Sequence, residues 1–210
     1  DGVSLNFSDG AMTILSLDAR HYQPILNKSI FAVRLSAATS FGSERIQYFL
    51  GGTDNWLLPQ YNNDIPTTGA NYAFQTAAPN IRGFRFGIRN GNSYALANTE
   101  LRIPLFQYFS KNINSSFLRN FQLVGFFDVG TAWEGSDPYR EDNPLNTTVF
   151  EEGEIIDVTV NYFRDPVVAG YGIGARSTLF GYYIRADYGW GIETGIIQDP
   201  RLHISMGLDF

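Results

Sequence analysis

Apolar and polar residues alternate along much of this chain, and the closing stretch RLHISMGLDF keeps the alternation without a break. Leu202, Ile204, Met206, Leu208 and Phe210 fall on one side; Arg201, His203, Ser205, Gly207 and Asp209 fall on the other. Successive side chains of a β-strand point to opposite faces, so the pattern predicts a strand with one apolar face. The preceding run YYIRADYGWGIE repeats it, setting Tyr182, Ile184, Ala186, Tyr188, Trp190 and Ile192 against Tyr183, Arg185, Asp187, Gly189, Gly191 and Glu193.

The same division continues upstream. SIFAVRLSAA opposes Phe31, Val33 and Leu35 to Ala32, Arg34 and Ser36, and NTELRIPLF opposes Leu101, Ile103 and Leu105 to Glu100, Arg102 and Pro104. FQLVGFFDVGTAW places Phe127, Val129 and Trp133 opposite Asp128, Gly130 and Ala132; VAGYGIGARST places Tyr171, Ile173 and Ala175 opposite Gly170, Gly172, Gly174 and Arg176. MTILSLDARHY alternates more weakly. With GVSLNFS at the start, about eight strands are predicted, at residues 2–8, 11–23, 29–42, 93–106, 119–133, 167–179, 181–193 and 201–210. The connections at 24–28 and 179–181 are tight, whereas those at 43–91 and 134–165 are long and polar.

A soluble antiparallel sheet also alternates, with its apolar face turned inward. Strands of about 10–13 residues, aromatic residues near strand ends and alternating short and long connections instead match a transmembrane β-barrel. The predicted fold class is therefore all-β, an antiparallel transmembrane β-barrel. Short turns are expected on the periplasmic side and long loops outside. The last strand, with Ile204, Met206 and Leu208 before a terminal aromatic Phe210, resembles the C-terminal β-signal of outer-membrane proteins.

Composition agrees with that reading. The 210 residues include 17 Phe, 12 Tyr and 21 Gly but no Cys, which leaves neither a disulfide framework nor a thiolate metal site. Charged residues make up 17 % of the chain, below the roughly 25 % usual for soluble domains. A net charge of -6 without a basic stripe argues against a nucleic-acid partner. No run approaches a transmembrane helix in length, and the N-terminal DGVSLNFSDG lacks the regions of a secretory signal, which is expected to have been removed.

The long connection at 43–91 raises its own question, because irregular loops of such length are usually functional. Within it stands NIRGF, residues 80–84. IRGF resembles the [VI]RG[FY] motif in the sixth extracellular loop of the BamA superfamily, which includes TamA and the two-partner-secretion transporters. ANTELRIPL (97–105) and FFDVGTAW (126–133) follow in the order and spacing of that family, five strands following the loop and three preceding it. The resemblance implies that the chain corresponds to the last eight strands of a sixteen-stranded barrel in the bacterial outer membrane. It also implies that Arg82, within Ile81, Arg82, Gly83 and Phe84, bonds an acid of the FxDxG strand motif Phe126, Asp128, Gly130.

Residue chemistry makes the same pairing reasonable. A guanidinium presents a planar fork that a carboxylate accepts at two points, and Asp128 has inward parity. Asp128 is the expected acceptor of Arg82, with Glu100 as a second. Gly83 would permit close backbone approach, and Ile81 and Phe84 would pack the tip against the wall. Inward Gly170, Gly172 and Gly174 suggest another backbone nearby.

A closed eight-stranded barrel has an interior that side chains just fill, leaving no room for this loop. Two alternatives follow: the chain is part of a larger barrel and lacks the other half, or a second copy completes the pore. In either case an unclosed sheet leaves edges that lipid cannot satisfy. The family resemblance implies insertion, assembly or translocation of polypeptides, with substrate strands added by β-augmentation at a seam of which the last strand is one lip. Expected partners are outer-membrane lipid and an unfolded outer-membrane or secreted polypeptide. No cofactor, metal or enzymatic activity is expected. The rivals are a passive outer-membrane pore or structural barrel, and a barrel enzyme. For the enzyme, His21, His203, Asp18 and Ser205 show no spacing that suggests a triad. The acidic run EEGEIID (151–157) lacks the spacing of a calcium loop and reads as a solvated face.

Overall fold

The computed structural model describes residues 10–62, 72–110, 112–140, 147–151, 158–162 and 164–207. In chain order its strands begin with β1 (Met12–Ile25) and β2 (Ser29–Gly42), followed by three short strands of the long connection, β3 (Arg45–Leu50), β4 (Tyr72–Ala77) and β5 (Arg89–Gly91). Then come β6 (Ser93–Ile103), helices α1 (Leu105–Phe109) and α2 (Ser116–Asn120), and β7 (Gln122–Trp133). The hairpin β8 (Thr147–Glu151) and β9 (Val158–Tyr162), β10 (Val168–Leu179), β11 (Tyr182–Glu193), β12 (Ile196–Ile197) and β13 (Arg201–Met206) complete the described elements.

Seven of these strands form one antiparallel wall in the order β1-β2-β6-β7-β10-β11-β13, with the two-residue β12 beside the far end of β11. Among the described residues the wall is an open sheet, with β1 and β13 at its two ends. Tight turns join β1 to β2 and β10 to β11; Leu26, Asn27 and Phe180 take positive φ there, and Gly181 follows Phe180. Antiparallel neighbours joined by short turns need no crossover, which keeps these pairs adjacent in both sequence and space.

Side-chain parity sorts the wall into two faces. On β2, β7, β10, β11 and β13 the outward positions Phe31, Leu35, Leu123, Phe127, Ile173, Tyr188, Leu202 and Ile204 are exposed, while the inward Arg34, Asp128, Arg176, Asp187 and His203 are buried. An exposed apolar face over a buried polar one inverts the soluble arrangement and matches a sheet with lipid outside. β1 differs: it is exposed on both faces for nearly its whole length, and the described part of the long loop does not bury it.

What buries the inner face is the loop itself. β3 pairs with β5 antiparallel and with β4 in parallel. Its Tyr48, Leu50, Ala78, Ile81, Phe84 and Ile88 join Ala38, Tyr94, Leu96, Ala132 and Val168 of the wall in one apolar cluster. Fully burying a side chain of the Leu, Ile or Phe type contributes about 1.5–3 kcal/mol, so the cluster anchors the loop against the wall. The connection read as irregular thus contains a three-stranded sheet of its own.

The strand expected over 93–106 stops at Ile103. Pro104 has no N–H to extend the ladder, and a helical turn begins at Leu105. The strand expected from 119 starts at Gln122, since Ser115 caps the preceding turn by accepting from the Leu118 N–H. The predicted strand at 2–8 and the β-signal residues Leu208 and Phe210 lie outside the described residues, as do 152–157 of the acidic run. Between 134 and 165 the described residues include the β8–β9 hairpin.

Candidate functional site

The loop turns at Ile81–Phe84 against the middle of the wall. Gly83 takes φ +92, and a Cβ there would lie 2.6 Å from the Trp190 carbonyl carbon and 2.7 Å from the Gly191 nitrogen. The wall supplies matching relief. A Cβ on Gly170 would fall 1.9 Å from the Arg82 carbonyl oxygen, and one on Gly191 would collide with the Phe84 ring. Of the three glycines expected to face another backbone, Gly170 faces the loop; Gly172 lies against the Tyr188 carbonyl and Phe126 ring, and Gly174 gives room to the Asp187 carboxylate. Gly130 of the FxDxG motif sits under Ile81.

Arg82 is 3 % exposed, and the structure brings it together with both expected acids. Its Nε donates to Asp128 Oδ2 at 2.8 Å and its Nη2 to Asp128 Oδ1 at 2.7 Å, the two-point fork a lysine cannot form. Nη1 donates to Glu100 Oε1 at 2.5 Å, and the Arg82 backbone N–H also donates to Asp128 Oδ2 at 3.0 Å. Asp187 stands 3.8 Å from Nη1. The guanidinium carbon lies 3.8 Å from the centre of the Phe126 ring, which places the remaining motif residue under the cation. Burial alone disfavours the charged arginine, but Asp128, Glu100 and Asp187 more than offset it and hold its pKa above the ordinary arginine value.

The strands carry further residues into this network. Asn98 Nδ2 donates to Asp128 Oδ1 and to the Asn80 carbonyl, each at 2.8 Å. Glu100 receives Arg102 Nε at 2.8 Å and is also paired with Arg176 Nη2. On the other side of the tip, the Gly83 N–H donates to His203 Nε2 at 3.0 Å, and the His203 ring stands 4.4 Å from that of Trp56. Asn98, Arg176, Asp187 and His203 were not expected in this site. Their signal was present as polar residues at inward positions of adjoining strands, although parity alone does not say which of them converge.

Two other fastenings flank the tip. Arg89, fully buried, donates through Nη1 to Glu193 Oε1 at 2.6 Å and through Nη2 to the Asp165 carbonyl at 2.6 Å. Nearer the start of the loop, Trp56 lies opposite Ser205 in an antiparallel bridge. The Leu57 N–H donates to the Ile204 carbonyl at 2.9 Å and the Met206 N–H to the Asn55 carbonyl at 3.4 Å. These groups lie on the edge of β13 that faces away from β11, so the loop occupies part of the last strand's free edge. Ile204 and Met206 of the β-signal therefore belong to a strand bordered by β11 on one side and by the loop on the other.

The residues considered for an enzyme have other engagements. Asp18 accepts from Arg20 and Arg34 on the inner face of β1 and β2, while His21 lies on the opposite face of β1. His203 Nε2 is engaged with Gly83, and Ser205 Oγ accepts from Arg185 Nε at 3.1 Å.

An antiparallel wall, apolar outside and polar inside, with a long loop fastened to its inner face, defines an outer-membrane β-barrel of the BamA-like kind. The Omp85 superfamily domain matches residues 2–210, and the chain belongs to that superfamily. No curated protein matches it.

Proposed function

We propose that this protein inserts or translocates polypeptides at the bacterial outer membrane, with the last wall strand acting as one lip of a seam and the Arg82 loop as an internal brace. The observation that carries this reading is the pairing of Asn55–Leu57 with the free edge of β13. A strand edge that accepts a short segment of its own loop has the hydrogen-bonding groups that an incoming strand would use. The buried pairs of Arg82 with Asp128 and Glu100 hold the rest of the loop at the wall, so the edge segment can exchange without losing the tip. Nothing in this mechanism draws on a cofactor, a metal or a catalytic group.

The test is the folding of an unfolded outer-membrane barrel protein added to liposomes that contain the full-length protein. Faster folding than in empty liposomes is expected. Equal rates, with intact loop and wall, would remove the assembly reading in favour of a passive pore or structural barrel.

A further inference from the structure

The connection between β6 and β7 is unlike the tight turns at the same end of the wall. Its sequence, PLFQYFSKNINSSFLRNF at 104–121, carries Phe106, Tyr108, Phe109, Phe117, Leu118 and Phe121 among polar and basic residues. Phe106 packs edge-on against Phe121 at 5.3 Å and Phe117 lies 6.0 Å from Phe121, which ties α1 to α2. The remaining apolar groups stay uncovered: Phe109 is 82 % exposed, and Tyr108, Phe117 and Leu118 are exposed as well.

Two serines locate this pair of helices on the wall. Ser29 of β2 shares the outward parity of Phe31 and Leu35, and Ser177 of β10 shares that of Ile173 and Leu179, yet both serines are buried. Ser29 Oγ is hydrogen-bonded to the Tyr108 hydroxyl at 2.8 Å, and Ser177 Oγ donates to the Phe117 carbonyl at 2.6 Å. The Tyr108 hydroxyl also donates to the Leu26 carbonyl, and the end of α2 reaches over the rim, where Asn120 Nδ2 donates to Oγ1 of Thr178, an inward position at the end of β10. The helices therefore sit on the lipid-facing side of the sheet, at the rim where the tight turns lie. Their exposed aromatics continue the apolar belt of Phe31, Leu101 and Leu123 past the strand ends. Exposed Lys28, over the Tyr108 ring, and exposed Arg119 stand beside them.

We infer that α1 and α2 form an in-plane anchor in the headgroup region of the periplasmic leaflet, a surface that binds phospholipid and favours anionic headgroups. Aromatic side chains flanked by cations are the composition of an interfacial element, which lies with its apolar groups about 5–10 Å into the headgroup and acyl boundary. Continuity with the lipid belt fixes the occupant as membrane and not as a soluble partner. The inference rests on the outer-membrane setting of the proposed function but not on assembly activity.

Because the chain contains no cysteine, Phe109→Cys and Leu118→Cys each admit a single environment-sensitive fluorophore, with Tyr139→Cys in the long-loop region as the aqueous reference. In liposomes containing the full-length protein, labels at 109 and 118 are expected to emit as in an apolar medium. Nitroxide lipids labelled high on the acyl chain should quench them more than lipids labelled near its end, and added phosphatidylglycerol should strengthen the quenching. Aqueous emission at both sites, without lipid quenching, would overturn the anchor. Protection that appears only when a periplasmic protein fraction is added would assign the surface to a protein and also overturn it. Both readouts are independent of whether the protein accelerates barrel folding.

Discussion

Arg82→Ala is the perturbation that tests the brace most directly. It removes the fork to Asp128 and the bond to Glu100, but the consequences for the two acids differ. Glu100 keeps Arg102 and Arg176. Asp128, fully buried, keeps Asn98 Nδ2 and the residue-82 backbone N–H as donors. Taking one partner from a buried ion pair costs about 3–5 kcal/mol because the other charge is left uncompensated. That corresponds to a rise of roughly two to three and a half powers of ten in the open population of the loop. Limited proteolysis with chymotrypsin at Phe84, buried at the tip beside Arg82, with cleavage slower than reclosing, reads that population. Arg82→Lys, which keeps the charge without the fork, should fall between alanine and wild type. Adding Asp128→Asn to Arg82→Ala removes the stranded charge, so the double variant should lose about 0.5–3 kcal/mol less than the sum of the single losses. Equal cleavage of wild type and Arg82→Ala, or strict additivity in the double variant, would refute the reasoning.

Three other outcomes are expected. His203→Ala leaves the Gly83 N–H without its acceptor, a loss of about 1–3 kcal/mol that should appear as faster amide exchange at Gly83; unchanged exchange there would remove His203 from the site. Gly170→Ala would drive a Cβ into the Arg82 carbonyl and should unseat the tip, whereas Gly125→Ala, with nothing within 4 Å, should not. Similar loop protection in the two variants would deny the close approach. Trp56→Cys with Ser205→Cys should form a disulfide on mild oxidation, since facing residues of a non-hydrogen-bonded antiparallel pair stand about 4.5 Å apart at Cα. The locked form should capture an added strand peptide poorly and recover on reduction. Failure to crosslink would place the loop elsewhere, and undiminished capture would place strand addition elsewhere.

Period-two patterning made the wall legible, because lipid on one side and a packed loop on the other impose opposite polarities on alternate residues. It was informative even for Gly170, Asp187 and His203, whose inward parity could be read before their contacts were known. The pairing of Arg82 with Asp128 and Glu100 rested on a motif resemblance, and the chemistry of the fork made it specific. What could not be read was convergence. Arg176 reaches Glu100 from a strand two places across the wall, and the loop segment at Trp56 meets Ser205 far along the chain. Such contacts depend on how the loop lies over the sheet, which no local period encodes. The α1 and α2 turns were hidden for a different reason: Leu105 continues the apolar parity of β6, so only Pro104 marked the place where the ladder ends.

The number of charges beneath the loop is informative about why the tip is polar at all. An apolar plug of equal volume would avoid the desolvation of Arg82, Glu100, Asp128 and Asp187, and replacing buried ion pairs by apolar groups is often neutral or stabilising. Adhesion alone therefore does not account for the network. Apolar contacts are less directional than hydrogen bonds, so the cluster around Leu50, Ile81 and Phe84 specifies the position of the loop less sharply than the polar network does. The Arg82 fork meets Asp128 in one register, and the Gly83 N–H meets His203 in that same register. A shift of one residue along either element would strand several buried polar groups at once. On this argument the network sets the position of the loop, and with it the place where Asn55–Leu57 reaches the edge of β13, while the apolar cluster supplies most of the holding energy.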